Sequence, residues 1–240
     1  MTMNIILFTH LDAENSLPLS DYRALHIQKI LKLGVGGQFS AGEINGKKGQ
    51  ATILSMDFEE LHFSFTAREN SPPLHPVTLL VAQVRPICMR RILREAVSLG
   101  VGRIILTGTE TSEKSYADAK LYKSGEYRSV LLDGAMQSGE TRVSEVLFAS
   151  SVRQAISMTE DALSRIVLDN VMDAKPLASF VLPPAPVALA VGGERGFTDR
   201  ERSLFLESGF KAASLGQRIL RTETACSAGL GVLLGRMLLL

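Results

Sequence analysis

Leu215-Gly216-Gln217-Arg218-Ile219-Leu220-Arg221-Thr222-Glu223-Thr224-Ala225 is the stretch whose reading decides the fold, together with Gly192-Gly193-Glu194-Arg195-Gly196-Phe197 shortly before it. Each follows a short apolar run that reads as a strand, 187–191 for the earlier stretch and 210–214 for the later. Each also leads into helical patterning. Thr198 with Glu201 makes a capping box for a helix to about residue 207, and a second helix is expected over 222–237. Loops of this kind leave backbone donors and acceptors free near one edge of a sheet, where a nucleotide-like ligand sits in α/β proteins.

Working outward, residues 77–84 read as a buried strand, 86–99 as a helix stopped by Gly100, and 103–107 as another strand. Helices over 125–137 and within 151–162, a strand at 165–168 and a stiff proline-rich approach at 183–186 complete the pattern. Strands that alternate with helices imply a mostly parallel sheet covered on both faces. Ser71-Pro72-Pro73-Leu74-His75-Pro76 is the best boundary, because three prolines deny helix and central strand to that segment. It separates residues 1–72 from 73–240.

The first part reads as a small β-rich domain with one early helix. Ser20-Asp21 caps that helix, whose apolar stripe is Leu25, Ile27, Ile30 and Leu31, and Gly34, Gly36 and Gly37 stop it. Strands are expected at 38–44, 50–56 and 61–67, with Asn45-Gly46 as a hairpin turn between the first two.

The chain has 240 residues, 45% of them hydrophobic and 21% charged, which is ordinary for a folded globular protein. Its net charge of +1 neither demands nor excludes a nucleic-acid partner. Residues 1–75 hold 6 Lys and Arg against 8 acids, so that part is not a basic tail. Cys88 and Cys226 lack disulfide-framework or metal spacing, and His10, His26, His62 and His75 are scattered, so no metal is expected. The apolar run 5–8 is too short for a signal peptide, and 230–240 falls short of a membrane span. A cytoplasmic protein without a membrane partner is the simplest expectation.

The 192–197 loop matches neither a Gly-x-Gly-x-x-Gly spacing nor a Lys-Ser/Thr phosphate loop. On its own it reads equally as a tight βα turn or as a ligand loop. The later segment places Arg218, Arg221, Thr222, Glu223 and Thr224 within seven positions, directly before an apolar helix. Thr222 suits a helix cap and Glu223 suits the first turn, yet neither explains the two arginines.

These paired segments resemble those of the SPOUT methyltransferases, most closely the RsmE family, which methylates N3 of a uridine in small-subunit ribosomal RNA. The resemblance extends over nearly the whole chain. His26-Ile27-Gln28-Lys29-Ile30-Leu31-Lys32-Leu33 with Gly36 and Asn45-Gly46 is similar to the family's PUA-like RNA-binding barrel. Leu79-Leu80-Val81-Ala82-Gln83, Leu99-Gly100-Val101 and Gln137-Ser138-Gly139 are similar to its catalytic-domain landmarks.

The resemblance implies an α/β SPOUT fold with a C-terminal trefoil knot behind a small PUA-like β-barrel, a homodimer, and S-adenosylmethionine bound in the knot. It implies 16S ribosomal RNA of the small subunit as the partner. The cofactor would lie among Leu168, Asp169 and Asn170, among Val191, Gly192, Gly193, Glu194 and Gly196, and among Leu215, Gly216, Ile219, Leu220 and Thr224. Arg218 and Arg221 would face RNA phosphates or uracil carbonyls, and Glu223 would orient an arginine or accept a proton. Lys29, Lys32, Arg90, Arg91 and Arg94 are the candidates for RNA phosphate contact, with solvated surface as the other reading.

The chain departs from the family pattern. Gly193 stands at a usual proline, Arg195 at a usual glycine and Gln217 at another proline; Glu95, Ser98 and Met136 also differ. These departures keep two other readings open, a SPOUT enzyme with a different nucleotide target and a non-catalytic RNA-binding or ribosome-assembly protein that retains the fold.

Overall fold

The computed structural model describes residues 4–183 and 185–240, so Pro184 of the proline-rich approach lies outside them. The chain forms two compact units. One runs up to Pro73 and adds Leu132–Val143, and the other comprises Leu74–Leu131 and Ser144–Leu240.

The first unit contains β1 (Ile6–Phe8), β2 (Glu14–Pro18), α1 (Tyr22–Lys29), β3 (Gln38–Glu43), β4 (Lys47–Met56) and β5 (Glu60–Asn70). The strands form one curled half-barrel sheet in the order β1-β3-β4-β5-β2, with β1 parallel to β3 and the other neighbours antiparallel. Alternate residues point inward, Phe39 and Ala41, Ala51 and Ile53, Leu61 and Phe63, to meet Ile6, Phe8 and Ile27 in one core. Each large side chain so buried stabilises the unit by about 1.5–3 kcal/mol. Asn45 takes the left-handed backbone that the hairpin turn requires, at φ +61°.

Helix α1 differs from expectation. Asp21 caps it, accepting from the Arg23 N–H at 2.8 Å, but it ends at Lys29, because Ile30 and Leu31 both turn their N–H groups back to the His26 carbonyl. The buried face is Ala24, His26 and Ile27, while Leu25 and Ile30 are exposed. The inward row therefore starts one residue earlier than the stripe read from the sequence. The segment Leu132–Val143 joins this unit through the Met136 carbonyl, which accepts from the Asn4 and Ile5 N–H groups, and through Lys48, 2.6 Å from Glu140.

The second unit contains β6 (His75–Ala82), α2 (Pro86–Ser98), β7 (Val101–Thr107), α3 (Lys114–Ala117), α4 (Lys120–Lys123) and the start of α5 (Tyr127–Ser138). It continues with β8 (Glu145–Ala149), α6 (Val152–Ser157), β9 (Ser164–Leu168), β10 (Lys175–Pro176), β11 (Val187–Val191), α7 (Asp199–Glu207), β12 (Lys211–Ser214) and α8 (Thr222–Arg236). All seven strands are parallel, in the order β10-β12-β9-β11-β6-β7-β8. Pro76 lies in β6, a central strand, against the expectation that the prolines exclude one. The β6–β7 ladder is irregular between His75 and Thr78, so the missing N–H falls where pairing is already interrupted.

Leu80, Ile105, Val167, Ala188 and Ala190 face α6 and α7, where Phe197, Phe205 and Phe210 stack edge to face. The opposite face is covered by α2 and α8. Gly229 lets α8 approach closely, since a Cβ there would stand 2.7 Å from Leu168 Cδ1 and 3.3 Å from Leu189 Cδ2.

Leu168 at the end of β9 and Lys175 at the start of β10 both pair with Ala213, from opposite sides. The chain leaving β9 therefore arches across β12 before it returns to β11. The trefoil implied by the resemblance needs such a loop, with the C-terminal chain passing through it. Arg236 near the C-terminus of α8 donates to the Phe180 carbonyl of that loop at 2.9 Å.

Candidate active site

A parallel sheet brings the C-terminal ends of its strands to one side, so the loops after β9, β11 and β12 converge whatever their order in sequence. They enclose a cavity of about 340 Å³. Its walls include Leu168, Asp169 and Asn170 from the first loop, Val191, Gly192, Gly193, Glu194 and Gly196 from the second, and Leu215, Gly216, Ile219 and Leu220 from the third. Thr224 is exposed and does not line it, whereas Thr222 and Ala225 do. Thr222 is also not the cap expected for α8: Arg221 holds the cap position and supplies no side-chain cap.

Among the described residues, the backbone of 216–220 makes no backbone hydrogen bond. Unpaired main-chain groups beside a cavity are available to a ligand or to water. Gly216 itself sits at φ +107°, a conformation that side chains disfavour. The second loop closes on itself through the Gly196 N–H, 3.0 Å from the Gly193 carbonyl.

Asp169, which lines the cavity, also fixes the loop that carries it. Its carboxylate accepts from the Val171 and Met172 N–H groups at 2.7 and 3.0 Å and from Arg202 Nε at 2.9 Å. With a side chain 3% exposed, it fixes the loop after β9 and ties it to α7. Glu201 does the same on the other side of the loop after β11, accepting from the Thr198 N–H within the capping box and from the Glu110 N–H at 2.9 Å.

A second cleft of about 520 Å³ shares Gly193, Glu194, Arg195, Ile219, Leu220 and Thr222 with the first cavity. Of the residues expected to carry chemistry, Arg221 and Glu223 line this cleft, and Arg218 lines the first cavity. Glu223 stands 4.0 Å from Arg91 and accepts a long contact, 3.8 Å, from the Cys88 thiol. Burial first, and then the neighbouring Glu223 and Glu194 carboxylates, push the Cys88 thiol above its ordinary pKa. Cys88 is therefore held protonated and is unsuited to nucleophilic attack. Cys226 is buried and pushed up as well.

The basic candidates do not form one free face. Arg90 is ion-paired with Glu126, Arg91 faces Glu223, and Arg94 is half-buried on α2, where its carbonyl accepts the Ser98 hydroxyl. Lys29 and Lys32 are exposed on the first unit, Lys32 with a left-handed backbone. The sequence reading missed Val171, Arg202 and Ala225 in the cavity and Gln83, Ser112 and Tyr116 in the cleft. Gln83 carried a signal, as a polar residue inside the run 77–84 otherwise read as a buried strand. Among the described residues no group of three His, Cys, Asp or Glu could hold a metal ion, and no helix is long and apolar enough to cross a membrane.

The fold and the paired cavities define a class. A family model of an RNA methyltransferase domain matches residues 70–234. Across 97% of this chain and 91% of its relative, the sequence is 37% identical to the ribosomal RNA small subunit methyltransferase E of Treponema pallidum. It is 30% identical to ribosomal RNA small subunit methyltransferase E 1 of Borreliella burgdorferi, over 94% of this chain and 95% of that one. A solved ribosomal RNA small subunit methyltransferase E from Neisseria gonorrhoeae, bound to S-adenosyl methionine, superposes with a TM-score of 0.79 at 22% identity and 97% coverage of both chains. The chain belongs to the ribosomal RNA small subunit methyltransferase E family.

Proposed function

We propose that the chain methylates N3 of a uridine in 16S ribosomal RNA, with S-adenosylmethionine held among the loops after β9, β11 and β12. The observation that carries this reading is the convergence of those three loops on one cavity that shares a wall with a second cleft. A cavity of about 340 Å³ suits a small-molecule cofactor. The donor set fits the cofactor: unpaired main-chain groups over 216–220 for the adenine edge, and apolar walls from Leu168, Val191, Ile219 and Leu220. The family relative bound to S-adenosyl methionine supports the same assignment.

When bound, the cofactor supplies an electrophilic methyl group on sulfonium sulfur. The chain's own work is to hold the acceptor in line, exclude water and favour loss of the imide proton. Arg221 stabilises negative charge on the uracil carbonyl oxygens or holds a neighbouring phosphate. Glu223 orients Arg91 and the Arg221 region, and Arg218 works at the cofactor cavity. Lys29 and Lys32 contact RNA phosphates, with the first unit as an RNA-binding module, and the enzyme works as a homodimer.

Mapping modified nucleosides in 16S ribosomal RNA from a strain lacking this chain tests the reading, because base and position are read together. One N3-methyluridine should disappear and return on complementation. Unchanged modification, or no S-adenosylmethionine binding at millimolar concentration by calorimetry, would overturn it. Arg221→Ala should lower methyl transfer or RNA binding; wild-type values for both would remove that residue from the site.

A further inference from the structure

We infer that Gln83 reads the target base, and that the cleft beside the cofactor cavity is a subsite for a flipped nucleobase with an amide or imide edge; this rests on the function proposed above. Gln83 is 7% exposed, and its side-chain amide makes no hydrogen bond to any described residue. The amide atoms are not sealed from solvent, so a ligand in the cleft that Gln83 lines can reach them.

Gln83 directly follows the last residue of β6, at the end of the strand where the cleft opens. The Gln83 N–H extends the β6–β7 ladder to the Thr107 carbonyl at 2.8 Å, and the Ser112 hydroxyl donates to the Gln83 carbonyl at 3.3 Å. The main chain is thus fixed on both sides and the amide is left for something else. Gln83 lines the cleft that also holds Cys88, Arg221 and Glu223, and borders a neighbouring hollow at the ends of β7 and β8.

The charges around the cleft say what kind of group enters. Glu113, Glu194 and Glu223 line it with Arg85, Arg195 and Arg221, and Arg85 is 3.6 Å from Glu194. Three carboxylates balance three arginines, so the cleft has no formal charge excess that would select a phosphate. A neutral heterocycle with both donors and acceptors suits them, and Gln83 can donate to one uracil carbonyl while the cofactor cavity lies across the shared wall. A base paired in a duplex cannot reach such a pocket, so the nucleotide must be unstacked.

The test compares Gln83→Leu and Gln83→Glu with the wild-type chain. The readouts are S-adenosylmethionine affinity by calorimetry, thermal stability, and methyl transfer to small ribosomal subunits from a strain lacking the chain. Gln83→Leu removes an unpaired amide and should leave stability and cofactor affinity unchanged, while kcat/KM for the subunits falls about ten- to a hundredfold. Gln83→Glu keeps the shape but loses the donor, and should fall at least as far. Wild-type turnover by Gln83→Leu would overturn the inference, as would a loss of cofactor affinity that accounts for the whole defect. If the wild-type chain itself transfers no methyl group to the subunits, the proposed function fails and the base-reading role fails with it.

Discussion

Replacing Gly229 by alanine tests whether the close approach of α8 to the sheet shapes the cofactor cavity. The new Cβ would stand 2.7 Å from Leu168 Cδ1, whereas carbon atoms pack at about 3.5–4.0 Å. The leucine methyl must therefore retreat by about 0.8–1.3 Å, and Leu168 lines the cavity. Alanine gains about 0.8–1 kcal/mol of helix propensity. Overpacking costs about 1–3 kcal/mol, so the net expected loss of stability is about 0–2 kcal/mol. A misplaced methyl in a fitted pocket costs about 1–3 kcal/mol of binding, so S-adenosylmethionine affinity should fall about tenfold or more. Gly231→Ala is the control, since no atom lies within 4 Å of its Cβ position in the same helix. That variant should gain about 1 kcal/mol, or roughly 2–4 °C in Tm, with unchanged cofactor affinity. Calorimetry and thermal melts on both variants decide the matter. If Gly229→Ala is stabilised like Gly231→Ala and binds the cofactor like wild type, the packing argument is wrong.

Asp169→Ala leaves two N–H groups and Arg202 without their buried acceptor and should cost about 3–5 kcal/mol in urea unfolding, while a loss under about 1 kcal/mol would show that the pair is replaceable. His26 is buried and its Nε2 has no partner, so desolvation lowers its pKa in the folded chain. The unfolded imidazole takes up a proton at about pH 6.5 while the folded one resists, so stability present above that pH is lost as pH falls toward the depressed value. His26→Phe should flatten stability between pH 7 and 5.5, as measured by denaturant midpoints; an unchanged slope would assign it to other groups. Cys88→Ala should retain methyl transfer because burial and two carboxylates keep the thiol protonated, and abolished turnover in a folded variant would reinstate a nucleophilic role.

What the sequence made legible is the local part of the fold. Apolar runs in 77–84, 103–107 and 187–191, the capping box at Thr198 and Glu201, and the turn at Asn45 are properties of a few neighbouring residues. Elements held by distant partners were silent. β2 is a polar edge strand in which Leu17 alone is buried, β8 is an edge strand that exposes Phe148, and β10 has two residues whose ladder exists because β12 is beside it. The same holds for Leu132–Val143, whose membership of the first unit is written in Ser71, Asn4 and Lys48 and not in its own pattern.

The candidate site divides along the same line. Loops at the C-terminal ends of strands in one parallel sheet lie on the same side, so the stretches 192–197 and 215–225 read together as one ligand-binding edge, although β9 stands between their strands. Roles that depend on which partner a side chain finds were beyond reach: Asp169 spends its carboxylate on Arg202 and its own loop, and Gln83 lines a cleft built from residues distant in sequence. Two departures from the family pattern, at Gly193 and Arg195, are compatible with the backbone geometry. A Cβ at Gly193 would make ordinary contacts, 3.5 Å to Ala82 and 3.8 Å to Val84, and Arg195 does not have positive φ. Neither residue strains the loop, whereas a Cβ at Gly192 would meet the Gly196 backbone at 3.0 Å. The steric requirement in this loop therefore rests on Gly192, by close approach, and on Gly196, by its φ of +67°, which leaves positions 193 and 195 free to vary without closing the cavity.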